Sequence, residues 1–137
     1  MIGAKNMLGN SIFVVDDEED TVELARMVLE YEGYQVFSAS NGEEAIQFLN
    51  QNPEKPDLIL LDVLMPKVSG LEVCKWIKDH DTFKKIPVLL FTAKVGKKDR
   101  IAGEEAGADA YINKPFSADD LLTLIKKHLE IAKNDSA

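Results

Sequence analysis

The sequence predicts an α/β fold built on a single doubly wound parallel sheet of five strands, with helices on both faces. Five short apolar runs recur along the 137 residues, and segments with helical amphipathic spacing lie between them. Such alternation is typical of parallel sheets whose right-handed crossovers place helices on both sides. The length corresponds to one domain, and the 45% hydrophobic and 29% charged residues are ordinary for a globular fold.

The strands are predicted by the apolar runs themselves. The five runs are Ile12-Phe13-Val14-Val15, Val36-Phe37, Leu58-Ile59-Leu60-Leu61, Val88-Leu89-Leu90-Phe91 and Ala110-Tyr111-Ile112. The first, third and fourth are apolar at every position, as expected for strands that are buried on both faces of a sheet. Five strand-helix units fit the doubly wound strand order 2-1-3-4-5, which is the flavodoxin-like arrangement.

The helices are predicted by apolar stripes and by capping signals. The stripes are Val22, Ala25 and Leu29 in the first helix, Ala45, Phe48 and Leu49 in the second, and Leu121, Leu122, Ile125 and Leu129 in the last. Ser40 stands three residues before Glu43, and Ser69 three residues before Glu72. Both pairs have the spacing of a capping box, which predicts that the second and third helices begin there.

The charge balance and the cysteine count exclude several classes of protein. The 24 acidic residues outnumber the 16 basic ones, which argues against a nucleic-acid surface. The single cysteine excludes an internal disulfide and favours a reducing compartment, and the apolar runs are far shorter than the ~20 residues that span a bilayer. We therefore predict a soluble, cytoplasmic domain over residues 11–132, with an N-terminal extension at 1–10, a C-terminal tail at 133–137 and no membrane contact.

Polar side chains stand where the predicted strands end. Asp16 and Asp17 follow the first strand, Asp62 ends the third, Thr92 ends the fourth, and Lys114 follows the fifth. In open parallel sheets, functional sites form beyond the carboxyl ends of the strands. Any one of these Asp residues could be only a helix cap or a solvated turn, but packing alone does not predict four polar strand ends on one sheet edge. Converging carboxylates need compensation, either by a hard cation such as Mg²⁺ or by the Lys114 ammonium.

Four motifs at these strand ends resemble one family. They are Val14-Val15-Asp16-Asp17, Leu60-Leu61-Asp62-Val63-Leu64-Met65-Pro66, Phe91-Thr92-Ala93 and Lys114-Pro115-Phe116. In order and spacing, the chain resembles the receiver domain of two-component response regulators, including the chemotaxis regulators, over about residues 11–132. Any one motif is weak evidence, whereas four in order are specific.

The resemblance implies a phosphoacceptor and a metal site. Asp62 would attack phosphorus in a phosphohistidine donor, carried by a sensor histidine kinase or a histidine phosphotransfer protein, and become an acyl phosphate. Asp17 and Asp62 would bind Mg²⁺ directly, Asp16 would bind it directly or through water, and the backbone carbonyl of Leu64 would complete the protein ligands. Phosphoryl transfer depends mainly on positioning and charge neutralisation, which suits this set of residues.

The resemblance also implies a switch. Lys114 would contact the phosphoryl oxygens, Thr92 would hydrogen-bond one of them, and Tyr111 would turn inward when Thr92 moves. The output would pass through the face built from the fourth helix, fifth strand and fifth helix, to a downstream protein or to a fused output domain. The Lys114-Pro115 bond is expected to be cis.

Two other readings of the same residues are weaker. A phosphatase with an aspartyl-phosphate intermediate would carry a second Asp two residues after the nucleophile, where this chain has Leu64. We therefore expect no enzymatic activity beyond self-phosphorylation from a donor and self-dephosphorylation. The self-dephosphorylation is expected to be slow, because Leu64 cannot hydrogen-bond a hydrolytic water. A phosphorylation-independent receiver-fold module would usually lose an Asp or the Lys, and this chain keeps them.

Overall fold

The computed structural model describes residues 10–93 and 96–136, and these form five strands and five helices in alternation. The strands are β1 (Ser11–Val15), β2 (Gln35–Ala39), β3 (Leu58–Asp62), β4 (Val88–Thr92) and β5 (Ala110–Asn113). The helices are α1 (Glu19–Tyr31), α2 (Gly42–Gln51), α3 (Gly70–Asp79), α4 (Lys97–Ala106) and α5 (Ala118–Ser136). The predicted N-terminal extension lies outside the described residues, apart from Asn10.

The strands pair in parallel in the order β2-β1-β3-β4-β5, so the predicted topology is confirmed. The register aligns the carboxyl ends of the central strands, because Val15 lies opposite Leu61 and Asp62 lies opposite Phe91. Thr92 in turn lies opposite Asn113 at the end of β5. The residues that end or follow these strands therefore meet at one edge of the sheet, where the sequence predicts the site.

The sheet is buried on both faces, and successive residues of each central strand serve opposite layers. In β3, Leu58 and Leu60 pack with α1 and α5, whereas Ile59 and Leu61 pack with α2, α3 and α4. This division follows from the two-residue period of a strand. All four side chains are fully buried, which explains why the run is continuously apolar.

The start of α2 differs from the prediction by one residue. Its N-cap is Asn41, whose side chain accepts the backbone N–H of Glu44 at 2.9 Å. Ser40 instead donates its own N–H and hydroxyl to the Glu44 carboxylate, at 2.9 and 2.8 Å. Asn41 and Glu44 have the same spacing as Ser40 and Glu43, and asparagine caps as well as serine, so the pattern alone could not separate the two. The predicted start of α3 is confirmed, since the Ser69 hydroxyl accepts the Glu72 N–H.

Helix α5 continues to Ser136, so most of the segment predicted as a tail is helical. The physical reason is that residues 118–137 contain neither Gly nor Pro, and nothing in the sequence stops the helix at 132. None of the described helices combines the length and the apolar character that crossing a bilayer requires.

Candidate functional site

Three carboxylates converge at the carboxyl edge of the sheet. One oxygen each of Asp16, Asp17 and Asp62 lies within 4.8 Å of the other two. Asp16 and Asp62 are buried, with 1% and 3% of their surface exposed, whereas Asp17 is open to solvent. Strands β1 and β3 are neighbours, so their ends bring the three side chains together as predicted. Two buried carboxylates with a third at the mouth form a strongly negative pocket.

Lys114 supplies a positive charge from the far side of the pocket. Its Nζ lies 2.8 Å from Asp16 Oδ2, 3.1 Å from Glu18 Oε1 and 3.5 Å from Asp62 Oδ2. The ammonium also lies 4.8 Å from the centroid of the Phe91 ring. One ammonium thus serves three carboxylates, and the pocket keeps a net negative charge.

The electrostatics of Asp62 follow from this crowding. Burial, and then the charge of Asp16, raise the pKa of Asp62 from 3.8 to about 7. The Lys114 charge and the Leu64 N–H, which donates to Asp62 Oδ1 at 3.4 Å, oppose this rise. Burial lowers the pKa of Lys114, but the hydrogen bond to Asp16 and the charge of Asp62 outweigh it, so that pKa is raised. The pocket therefore favours the charged form of the Lys114 ammonium and disfavours the ionised form of the Asp62 carboxyl.

Thr92 lies at the end of β4, one residue beyond Phe91, the register partner of Asp62. Its side chain is buried, and its carbonyl accepts the Lys114 N–H at 3.0 Å. The Lys114-Pro115 peptide bond is cis. The backbone of β4 is thereby joined to the residue that carries the pocket's ammonium.

Tyr111 lies on β5 and faces α4. Its ring is half-buried against the core layer of α2, α3 and α4, and its hydroxyl donates to the backbone carbonyl of Asp99. The ring passes over Gly103 of α4, which has no side chain to obstruct it. Burial raises the pKa of Tyr111, which the Gly103 N–H opposes. The predicted switch aromatic therefore contacts the first two turns of α4.

The donor set of the pocket fits a hard divalent cation. It consists of carboxylate oxygens, which Mg²⁺ prefers, and it mixes buried groups with the solvent-exposed Asp17, as suits an ion that keeps several waters. Asp16 Oδ2 is buried, and apart from its ion pair with Lys114 it accepts no hydrogen bond from the described residues. A cation would give that oxygen a second partner and offset the negative charge. The Leu64 carbonyl, implied as a further ligand, stays a prediction.

The comparisons with known proteins agree with this geometry. The family model described as the response regulator receiver domain matches residues 12–126. The chain belongs to this family. Receiver domains act in two-component signalling, in which histidine kinases are the general partners and phosphorylation is the general switch.

The relatives differ in how much of them the receiver domain occupies. The chain is 44% identical over 119 residues to the alkaline phosphatase synthesis transcriptional regulatory protein PhoP of Bacillus subtilis, covering 87% of this chain and 48% of PhoP. It is 40% identical over 119 residues to the polar-differentiation response regulator DivK of Brucella anthropi, covering 87% of this chain and 95% of DivK. The receiver domain thus spans about half of one relative and nearly all of the other.

A solved structure shows the same fold. The signal receiver domain of a signal transduction histidine kinase from Syntrophus aciditrophicus superposes with a TM-score of 0.81 at 36% identity, covering 88% of this chain and 90% of that one.

Two residues of this receiver's site were not predicted from the sequence. Glu18 reaches Lys114, but it stands in an acidic run that is equally typical of a solvated first helical turn. Gly70 lies against the backbone of Asp62, where a Cβ would overlap the Asp62 carbonyl oxygen. A glycine at the first position of a helix, directly after a serine cap, is a signal that could have drawn attention to that close approach.

Proposed function

We propose that this receiver domain is a phosphorylation-activated switch whose phosphoacceptor is Asp62. The observation that carries the proposal is the contact of one ammonium, Lys114 Nζ, with both Asp16 and Asp62 in a buried acidic pocket. A site of this kind combines a nucleophilic carboxylate with the positive charge that an arriving phosphoryl group needs. The proposed donor is a phosphohistidine of a sensor histidine kinase or a histidine phosphotransfer protein.

In the proposed transfer, an Asp62 carboxylate oxygen forms a bond to phosphorus while the bond between phosphorus and the donor's histidine nitrogen breaks. The nitrogen leaves with the bonding electron pair, and the product is an acyl phosphate on Asp62. Lys114 turns from the carboxylates to the phosphoryl oxygens, and the Thr92 hydroxyl donates to one of them. Little covalent chemistry is asked of the protein, so positioning and charge account for the catalysis.

The residues that would hold Mg²⁺ are Asp16, Asp17 and Asp62, together with the carbonyl of Leu64. When bound, the cation would neutralise charge on the phosphoryl oxygens. The side chain of Asp16 also orients the pocket, because its Oδ1 accepts the Glu18 N–H at 2.9 Å and fixes the turn after β1.

Intact mass spectrometry tests the proposal directly. Incubation with Mg²⁺ and acetyl phosphate is expected to add one phosphoryl group, and both Asp62→Asn and removal of Mg²⁺ by chelation are expected to abolish the adduct. Asp79→Asn is the matched control, since it removes the same charge from an exposed side chain at the end of α3. An adduct that survives Asp62→Asn would refute the assignment. A folded wild-type protein that binds Mg²⁺ but gains no phosphoryl group would favour a phosphorylation-independent interaction module.

Leu64 is expected to prolong the phosphorylated state. Its side chain is 58% exposed, two residues after Asp62, and it cannot hydrogen-bond an attacking water. Leu64→Asn is expected to shorten the phosphoryl half-life by about tenfold, the effect of one water-orienting hydrogen bond of about 1.4 kcal/mol. The half-life is measured by following loss of the mass adduct after the donor is removed. Leu24→Asn, at an exposed leucine of α1, is the control, and a half-life that lengthens in Leu64→Asn would contradict the proposal.

The proposed output passes through the face of α4, β5 and α5. Movement of Thr92 toward a phosphoryl group on Asp62 would alter the loop between β4 and α4 and the contact of Tyr111 with α4. The occupant of this face is a downstream protein or an output domain fused in a longer chain. A cytoplasmic location stays a prediction.

A further inference from the structure

Gly103 is an unusual residue for its place in the fold. It lies inside α4, three residues before the helix ends at Ala106, and it is buried. Glycine is a poor former of helix interiors, where alanine is preferred. Gly103 has no positive φ, in contrast to Gly33 and Gly107, so backbone conformation does not require a glycine there. The requirement must come from what lies against it.

The neighbour of Gly103 is the ring of Tyr111. A Cβ at position 103 would overlap the Tyr111 hydroxyl and ring carbon Cζ, and would lie 2.7 Å from Cε2. An aromatic ring is rigid and has two side-chain torsions, so it cannot yield locally as a long aliphatic side chain would. Any side chain at position 103 therefore requires Tyr111 to leave its place.

That place is held by a specific contact. The Tyr111 hydroxyl donates to the carbonyl of Asp99, in the first turn of α4. The carboxylate of the same Asp99 accepts the N–H of Gly96 at 3.0 Å and caps the helix. Tyr111 thus joins β5 to the start of α4, the helix that follows Thr92 in the sequence. We call this arrangement the α4-packed position of Tyr111.

We propose that Gly103 is a positioning residue for Tyr111. Because it has no side chain, Gly103 leaves room for the α4-packed position of the ring. That position competes with the inward position, so Gly103 sets how readily the Tyr111 side chain moves inward. The effect of Gly103 on phosphorylation rests on the proposed function, because that function couples the inward ring to a phosphoryl group on Asp62. The steric need for glycine at position 103 does not depend on the proposed function. A substitution at Gly103 is expected to reach the phosphorylation site only through Tyr111.

A double-mutant cycle tests the steric part. Gly103→Ala in the wild type is expected to lower the urea midpoint by on the order of 1 M, because the ring loses its packing and its hydrogen bond. In the Tyr111→Ala background the same substitution is expected to leave the midpoint unchanged or raise it, since alanine is the better helix former and no ring remains. The double variant also guards against a simple failure to fold. An equal loss in both backgrounds would overturn the inference.

Beryllofluoride with Mg²⁺, a phosphoryl mimic, tests the consequence in the same four proteins by calorimetric titration. We expect Gly103→Ala to tighten binding about tenfold in the wild type and not at all in Tyr111→Ala, because the alanine removes the α4-packed position that competes with the inward ring; a purely structural role would not produce this difference. If the wild type binds and Gly103→Ala binds equally well or more weakly, the coupling is overturned while the proposed function stands. If the wild type itself does not bind, the proposed function and the coupling both fail, and the urea cycle alone decides whether Gly103 positions Tyr111.

Discussion

Gly70→Ala is expected to lower the free energy of unfolding by on the order of 3 kcal/mol, at the upper end of the range for overpacked sites. A Cβ at this position would overlap the carbonyl oxygen of Asp62 and lie 2.8 Å from the Asp62 carbonyl carbon and from Val63 Cα. These are backbone atoms at the end of β3, and they cannot yield unless the strand and Asp62 move. The Gly70 N–H also donates to the Val63 carbonyl at 2.9 Å, which holds the start of α3 against the strand.

Urea unfolding, followed by far-ultraviolet circular dichroism, measures the effect. Gly96→Ala is the matched control, because among the described residues a Cβ there would meet only the side-chain carboxylate of Asp99, at 3.2 Å, and no backbone atom. The folded fraction of Gly70→Ala is also expected to accept phosphoryl groups from acetyl phosphate more slowly, since Asp62 is displaced. Equal stability of Gly70→Ala and the wild type would show that the end of β3 can move freely, contrary to the packing described.

Asp62→Asn is expected to stabilise the protein at pH 8 without Mg²⁺, by roughly 2–4 kcal/mol. Burial raises the pKa of Asp62 from 3.8 to about 7. Below about pH 4 the carboxyl is protonated in the folded and unfolded states, and the wild type bears no penalty. Between pH 4 and 7 the unfolded chain ionises while the folded carboxyl keeps its proton, so the stability contribution of this group falls as pH rises, and above about pH 7 the loss is complete. Asparagine does not ionise, so Asp62→Asn does not lose this stability as the pH rises.

Chemical unfolding of both proteins at pH 5 and pH 8, in a chelating buffer, measures the difference. The advantage of Asp62→Asn is expected to be smaller at pH 5 than at pH 8, and Asp79→Asn is expected to show no such trend. Adding Mg²⁺ at pH 8 is expected to narrow the gap, because the cation binds the charged carboxylate. If the stability difference between Asp62→Asn and the wild type is independent of pH, the ionisation of Asp62 is not its cause.

Much of the fold could be predicted because its determinants are local. The continuous run Leu58-Ile59-Leu60-Leu61 indicates a strand buried on both faces, and the structure buries all four residues. The parallel topology then brings the ends of β1, β3 and β4 to one edge, so Asp16, Asp62 and Thr92 could be placed together before any distance was known. The predicted start of α2 was wrong by one residue, because two overlapping pairs carry the same capping pattern. Helix α5 extends into the segment predicted as a tail, because the sequence contains no stop signal there.

The residues that surround the site are a different matter. Glu18 contacts Lys114 across 96 positions of sequence, Gly70 approaches the backbone of Asp62, and Gly103 lies beneath Tyr111. A periodic pattern reports which face of an element is buried, but it carries no information on which distant residue touches which. Those contacts depend on how the helices lie against the sheet, to within an ångström or two. The sequence alone determines which side chains end the strands at the site. The close contacts that hold those side chains in place depend on the tertiary structure, because they form only when the helices pack against the sheet.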